Sequence, residues 1–217
     1  MSEPPLRAAV IPVTPLQQNC TLLWCTKTMR GAFVDPGGDL PRLKAAAEQV
    51  GVTIEKILLT HGHIDHCGGA GIFAEELGVP IEGPHEEDRF WIEKLGVDGP
   101  KYGIVGQSFE PSRWLDDGDQ VTVGELGFDV RHCPGHTPGH VVLYEPNEQV
   151  VFVGDVLFAG SIGRTDLPGG STEQLLSSIK NKLMTLNDDV KVYSGHGPVT
   201  TIGEERLTNP FLTHRFI

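Results

Sequence analysis

The amino-acid sequence predicts a single α/β domain in which two packed sheets, or one large sheet, are covered by helices. Short apolar runs rich in β-branched residues recur along the chain, each bounded by Gly, Pro, Asn or Asp, as is typical of strands. Amphipathic segments with capping residues lie between and after these runs, which predicts interleaved helices. No linker and no shift in composition divides the 217 residues, so we expect one domain over residues 1–217.

The strands are predicted from apolar runs and the helices from spacing and caps. The predicted strands are Ala8–Val13, Thr21–Cys25, Ala32–Val34, Ile57–Leu59, Gln120–Val123, Phe128–Arg131, Val141–Tyr144, Val150–Val153 and Val190–Tyr193. The predicted helices are Leu40–Val50, Gly69–Leu77, His85–Leu95, Ser171–Leu186 and Thr201–Leu207. Gly51 is the expected end of the first helix, and Ser171 and Thr201 each open a capping box. The residues between Val123 and Phe128 predict a hairpin turn.

Composition and charge exclude several classes of partner. The chain has 17 Lys and Arg against 29 Asp and Glu, a net charge of −12, and it lacks the basic stripe needed to bind nucleic acid. No stretch reaches the roughly 20 apolar residues of a membrane span, so we expect no membrane partner. The four cysteines show no paired spacing, which favours free thiols and a cytoplasmic location.

The strongest chemical signal is the run T-H-G-H-I-D-H at 60–66. It places His61, His63, Asp65 and His66 directly after a predicted strand. Side chains this close in sequence cannot all reach one ion, but a loop can direct two of them to one ion and two to a neighbour. Imidazole together with carboxylate favours zinc, iron or manganese over calcium or magnesium.

Three further polar residues follow predicted strands elsewhere in the chain. His136 lies in C-P-G-H-T-P-G-H at 133–140, Asp155 follows an apolar strand, and His196 lies in S-G-H-G at 194–197. Binding sites on sheets gather at the carboxyl ends of strands, so these residues are candidates to complete the metal site. A purely structural zinc site is disfavoured, because such sites are mostly rich in cysteine.

These motifs, in this order, resemble the metallo-β-lactamase superfamily, and within it the short bacterial glyoxalase II (hydroxyacylglutathione hydrolase) branch. The resemblance runs from I-P-V-T-P-L-Q-Q-N-C at 11–20 to G-E-E-R-L-T-N-P-F-L at 203–212. It implies an αβ/βα four-layer sandwich, with two mixed sheets flanked by helices and the metals at one sheet edge.

The resemblance also implies a ligand set for two divalent metal ions, which we expect to be zinc, with iron or manganese as alternatives. His61, His63 and His136 would hold one ion, Asp65, His66 and His196 the other, and Asp155 would bridge them. Two such ions share a water and lower its pKa, producing a bridging hydroxide at neutral pH. Asp65 and Asp155 are therefore the predicted catalytic residues, and Asp65 would help to deprotonate that water if the second metal were absent.

The predicted substrate is a small-molecule thioester, with a glutathione conjugate as one candidate. A thiol with a pKa near 8.5 leaves as a thiolate without a proton donor, whereas an amide would need a general acid. Arg164, in G-R-T-D at 163–166, is a candidate substrate contact or a surface residue. This loop, the Gly197-Pro198 pair and the end at Ile217 lack the glutathione-binding residues of the longer enzymes, so we expect weak glutathione recognition.

Alternatives remain for the function and for several polar residues. The function alternatives are a persulfide dioxygenase with one iron, a lactonase or other ester hydrolase, and a non-catalytic zinc scaffold. Asp35 either hydrogen-bonds to the metal loop or makes a turn. His132 and His140 either support the metal ligands or play no part in the site, and His85 and His214 are predicted surface residues.

Overall fold

Two mixed sheets form the centre of the protein, in a computed structural model that describes residues 5–213. The first sheet has the order β1-β2-β3-β4-β5: β1 Leu6–Val13, β2 Gln18–Cys25, β3 Arg30–Val34, β4 Thr53–Leu58 and β5 Ile81–Glu82. The second has the order β13-β12-β9-β8-β7-β6: β6 Gln120–Val123, β7 Leu126–His132, β8 Val141–Glu145, β9 Val150–Gly154, β12 Lys191–Ser194 and β13 Thr200–Thr201. Parallel pairs (β3–β4, β4–β5, β9–β12) occur beside antiparallel ones in both sheets.

Helices and short connecting elements surround these sheets. The helices are α1 Leu40–Val50, α2 Ile64–Cys67, α3 Ala70–Leu77, α4 Arg89–Ile92, α5 Leu95–Tyr102, α6 Thr172–Ser178 and α7 Ile202–Thr208. A 3₁₀ turn at Glu86–Asp88 precedes α4, a π-helical segment at Ile179–Leu183 continues α6, and a ribbon of β10 Leu157–Phe158 and β11 Ser161–Ile162 follows β9. Within residues 5–213, no helix is long and apolar enough to cross a bilayer.

Alternation along the strands divides the core into three layers of apolar side chains. On β2, Leu22 packs in a cluster with α1 and α3, whereas its neighbour Leu23 packs between the two sheets. On β8, Leu143 joins the cluster between the sheets, whereas Val142 packs with α6 on the outer face of the second sheet. Because successive strand residues point to opposite faces, both sheets are covered on both sides. This arrangement is the predicted αβ/βα four-layer sandwich, with helices on the two outer faces.

The structure confirms every predicted strand, with bounds that shift by a few residues, and corrects several helices. Gly51 ends α1 in a left-handed conformation, and the hydroxyls of Ser171 and Thr201 accept the predicted capping hydrogen bonds. The predicted helix Ser171–Leu186 was wrong in type beyond Ser178, where the winding becomes π-helical. The predicted helix at 85–95 is instead a 3₁₀ turn and the short α4. The helices α2 and α5 and the short strands β5, β10, β11 and β13 were not predicted.

Candidate metal centre

Four loops at one edge of the sandwich bring the predicted ligands together. The first follows β4 and continues into α2, the second joins β7 to β8, the third follows β9 and the fourth follows β12. Backbone hydrogen bonds connect these loops across the sheets: Val141 N donates to Thr60 O (2.8 Å) and Gly195 N donates to Gly154 O (2.7 Å). The structure therefore gathers all seven predicted metal-site residues, although they span 136 positions from His61 to His196.

The first cluster consists of His61, His63 and His136. The Nδ1 atom of His63 lies 3.2 Å from Nε2 of His61 and 3.0 Å from Nε2 of His136. All three side chains are buried. His63 thus presents Nδ1 to the cluster, and the other two imidazoles present Nε2.

The second cluster consists of Asp65, His66 and His196, and Asp155 lies between it and the first. Asp65 Oδ2 is 3.2 Å from Nε2 of His196 and 3.8 Å from Nε2 of His66. Asp155 Oδ1 is 3.3 Å from Nε2 of His66, while its Oδ2 is 3.6 Å from Nε2 of His136. The carboxylate of Asp155 therefore contacts both clusters.

These distances fit a metal site. Donor atoms about 2.1 Å from an ion in tetrahedral geometry lie roughly 3.4 Å from one another, close to the spacings within both clusters. Nε2 of His66 and Oδ1 of Asp155 are buried without a hydrogen-bond partner. Buried polar atoms are otherwise almost always hydrogen-bonded, so these two atoms are free to coordinate an ion. The residues present therefore fit divalent metal ions.

Hydrogen bonds on the far side of the imidazoles set their orientation. Asp35 Oδ2 accepts from Thr60 Oγ1 (2.6 Å) and from Nδ1 of His66 (2.9 Å). Because the Thr60 hydroxyl gives its proton to Asp35, it accepts from Nδ1 of His61 at 3.0 Å. Nδ1 of His136 donates to the carbonyl of Arg164 at 2.8 Å. In each case the proton resides on Nδ1 and the lone pair of Nε2 faces the cluster. Of the two alternatives for Asp35, the structure supports the hydrogen bond to the metal loop.

Two glycines allow these loops to approach closely. A Cβ atom on Gly37 would lie 1.5 Å from the carbonyl oxygen of Asp65, and one on Gly195 would lie 2.2 Å from Oδ1 of Asp155. Both distances are far shorter than any van der Waals contact. The loops carrying Asp35 and His196 can therefore reach the other ligands only with glycine at these positions.

The electrostatics of the centre favour neutral imidazoles at His61 and His63 and an ionised carboxylate at Asp155, whereas at His66 the carboxylate of Asp155 outweighs burial and holds the pKa well above its ordinary value. Burial and the neighbouring imidazole of His136 lower the pKa of His63 to about 3. Burial and the adjacent imidazole of His66 likewise hold the pKa of His61 well below its ordinary value. At Asp155, burial opposes ionisation, but the imidazoles of His66 and His136 outweigh it and keep the pKa of the carboxyl low. Neutral imidazole and ionised carboxylate are the forms that bind metal.

Sequence reasoning missed Asp88, which connects two of the ligand loops. Its buried carboxylate accepts hydrogen bonds from Gly62 N (2.7 Å), Thr137 Oγ1 (2.8 Å) and Gly139 N (2.6 Å). Gly62 lies between the predicted ligands His61 and His63, and Thr137 follows the predicted ligand His136. The acidic run at 86–88 contains no local signal that distinguishes Asp88 from its exposed neighbours.

The structure separates the roles of the remaining histidines. His140 is buried, its ring stacks on that of His61 (centroids 4.6 Å apart), and its Nε2 accepts a hydrogen bond from Asp155 N at 3.0 Å. It therefore supports two ligands. His132 stacks instead on His85 at 4.2 Å, away from the clusters, and both rings are partly exposed. His214 lies outside the described residues.

A pocket of about 700 Å³ opens onto both clusters. Its lining includes His63, Asp65, His136, Asp155 and His196. The side chain of Arg164 also lines the pocket, while its guanidinium forms a two-point ion pair with the carboxylate of Asp166 (2.8 and 2.7 Å). A volume of this size suits a small-molecule ligand.

Comparison with known proteins gives the same result as the geometry. The sequence model of the metallo-β-lactamase superfamily matches residues 13–196. The chain belongs to the metallo-β-lactamase superfamily. A relative in Haemophilus influenzae, named hydroxyacylglutathione hydrolase GloC, is 44% identical over 208 residues, which cover 95% of this chain and 98% of the relative.

Two solved structures share the fold over nearly the whole chain. The crystal structure of the B3 metallo-β-lactamase BLEG-1 superposes with a TM-score of 0.88 at 39% identity, covering 95% of this chain and 100% of that one. A structure of TTHA1623 in a di-iron-bound form gives a TM-score of 0.86 at 38% identity, covering 94% and 100%. As a member of this superfamily, the chain has in the two His/Asp clusters a site for divalent metal ions.

Proposed function

We propose that this chain is a dinuclear metal-dependent thioester hydrolase of the hydroxyacylglutathione hydrolase type, built as one catalytic domain. The observation that carries this proposal is the position of Asp155. One of its carboxylate oxygens lies 3.3 Å from a histidine of the second cluster, and the other lies 3.6 Å from a histidine of the first. A carboxylate between two sets of donors is suited to bridge two ions. The name of the 44% identical relative supports the same substrate class.

In this proposal, each cluster holds one ion. His61, His63 and His136 would hold the first, Asp65, His66 and His196 would hold the second, and Asp155 would contact both. When bound, the two ions lower the pKa of a shared water and polarise the substrate carbonyl. We propose zinc as the physiological metal, with iron or manganese as alternatives, and the di-iron form of TTHA1623 supports iron in a related site.

The residues of the chain contribute positioning and proton transfer. Asp35, Thr60 and the carbonyl of Arg164 hold three imidazoles with Nε2 toward the ions. Asp65 faces the pocket, and its carboxylate would accept a proton from the reacting water if the second ion were absent. No proton donor for the leaving group is required, because a thiol with a pKa of about 8.5 departs as a thiolate. A cytoplasmic location is part of the proposal and is supported by the four buried free thiols.

The experiment is a substrate panel run with elemental analysis of the purified protein. The panel contains S-D-lactoylglutathione, a neutral thioester, an acyl-homoserine lactone, nitrocefin and glutathione persulfide, the last with an oxygen electrode. We expect thioester hydrolysis and two metal ions per chain, with activity lost on chelation and restored by added metal. One iron per chain together with oxygen uptake on the persulfide would identify a dioxygenase and contradict the proposal. Turnover of nitrocefin or the lactone without thioester hydrolysis would contradict it as well.

A further inference from the structure

The pocket beside the metal centre has a second wall, formed by α4, α5 and the residues between them. Trp91, Lys94, Lys101 and Tyr102 from this wall line the same pocket as the clusters and Arg164. The lining of the pocket carries three basic side chains, the third being Arg164, and three carboxylates, of which two, Asp65 and Asp155, belong to the predicted metal site.

One of these cations has no carboxylate to neutralise it. Lys101 is paired with Asp98 (2.5 Å), and Arg164 is paired with Asp166. Lys94 forms no ion pair within residues 5–213, and its ammonium lies over the ring of Phe90, 5.3 Å from the centroid. The pocket therefore offers one uncompensated positive charge for a ligand, beside two cations that already have partners.

A buried hydrogen-bond donor lies on the same wall. The indole N–H of Trp91 is buried and has no partner within the part of the chain that the structure describes. The indole meets the ring of His63 edge-on, with centroids 4.5 Å apart. The Cβ atom of Trp91 lies only 2.7 Å from the position that a Cβ atom on Gly62 would occupy, so the two backbones are in close contact. Trp91 is thus held against the metal loop. A buried N–H without an acceptor is unfavourable, and a ligand carbonyl in the pocket would satisfy it.

We propose that Lys94 and Trp91, with Lys101 and Arg164 beside them, bind the thiol-carrier half of the substrate, a peptide thiol that bears a carboxylate. This inference rests on the proposed thioester hydrolase function and identifies the part of the site that selects the carrier. Lys94 pairs with a carboxylate of the carrier, and the Trp91 N–H donates to one of its carbonyl groups. One uncompensated cation matches a peptide thiol such as glutathione, whose two carboxylates and one ammonium group leave a single net negative charge, better than the several negative charges of a nucleotide-phosphate thiol such as coenzyme A.

The test compares substrates that share the acyl group and differ in the thiol. We would measure kcat and KM for the D-lactoyl thioesters of glutathione, of coenzyme A and of neutral N-acetylcysteamine. In Lys94→Met, we expect the KM for the glutathione thioester to rise about fivefold, so that its advantage over the neutral thioester shrinks. Lys94→Arg should restore most of the advantage, and added salt should reduce it in the wild type. Trp91→Phe, which keeps a ring and loses the N–H, should raise the same KM.

Lys180→Met is the matched control, because Lys180 is also an exposed lysine and lies outside this pocket. Binding of S-methylglutathione, which cannot be hydrolysed, repeats the comparison by calorimetry without turnover. Equal KM values for the glutathione thioester in wild type, Lys94→Met and Trp91→Phe would overturn the inference and leave the hydrolase proposal intact. Preference for the coenzyme A thioester would overturn the choice of carrier. If no thioester is hydrolysed, the proposed function fails, and unweakened binding of S-methylglutathione to Lys94→Met would then overturn the inference separately.

Discussion

The substitution Asp35→Asn tests whether one carboxylate orients the proposed metal-binding histidines. Asp35 Oδ1 accepts from Thr60 N (2.8 Å), and Oδ2 accepts from Thr60 Oγ1 (2.6 Å) and His66 Nδ1 (2.9 Å). All three partners are donors, so an asparagine NH₂ group must face at least one of them. The backbone φ of Asp35 is +54°, which asparagine tolerates, so the substitution changes the chemistry without straining the backbone.

The magnitude follows from the number of donors that lose an acceptor. If the NH₂ group replaces Oδ1, Thr60 N is left unpaired; if it replaces Oδ2, both Thr60 Oγ1 and His66 Nδ1 are. Each buried donor without a partner costs about 1–3 kcal/mol of unfolding free energy. In both orientations His66 also loses its bond to a charged acceptor, and loss of such a supporting partner lowers metal affinity about 10- to 100-fold.

The assay is competition for metal against a chromophoric chelator, together with urea unfolding of the metal-free protein. Asp39→Asn is a matched control, because Asp39 also has a positive φ of 53° and accepts a backbone hydrogen bond, from Thr14 N at 2.9 Å, away from the metal ligands. We expect the control to bind metal as the wild type does. Wild-type metal affinity in Asp35→Asn would refute the reasoning that this carboxylate orients His61 and His66.

Three further predictions address the metal centre and its support. Asp155→Ala should lose both metals and all hydrolysis, since this carboxylate contacts both clusters; elemental analysis and kinetics check this, and two retained metals would exclude a bridge. His196→Ala should keep about one metal and weak activity with a pH–rate profile shifted to higher pH, whereas an unchanged metal count and profile would remove His196 from the site. Burial raises the pKa of Asp88 from the ordinary 3.8 to about 6, so the folded chain holds a proton there that the unfolded chain has lost, and stability falls as pH rises between these values. Urea unfolding of the metal-free protein at about pH 4 and about pH 7 measures this loss of unfolding free energy, and in Asp88→Asn the loss should be about 3 kcal/mol smaller than in the wild type. An equal loss in both proteins would contradict a raised pKa at Asp88.

Local sequence signals were sufficient for the longer strands, for the caps at Gly51, Ser171 and Thr201, and for the gathering of the metal-site residues. His61, His63, Asp65 and His66 lie within one short motif, and a strand preceding each further candidate placed it at a sheet end. Strand pattern depends on alternation between neighbouring residues, and a cap depends on residues three apart, so both are legible in short windows. Periodicity did not distinguish one large sheet from two packed sheets. The resemblance to a known superfamily indicated two sheets and the order of the four layers.

Contacts between distant residues decided what the sequence did not predict. Asp88 accepts hydrogen bonds from Gly62 and Gly139, which are 26 and 51 residues away in sequence. No pattern in the residues around Asp88 indicates these partners. His140 reaches Asp155 across 15 residues, and Trp91 and Lys94 line the pocket only because α4 packs against the loop at Gly62. A buried carboxylate or an unpaired lysine acquires its role from the atoms that surround it, and those atoms are brought together only when the sheets and loops have folded.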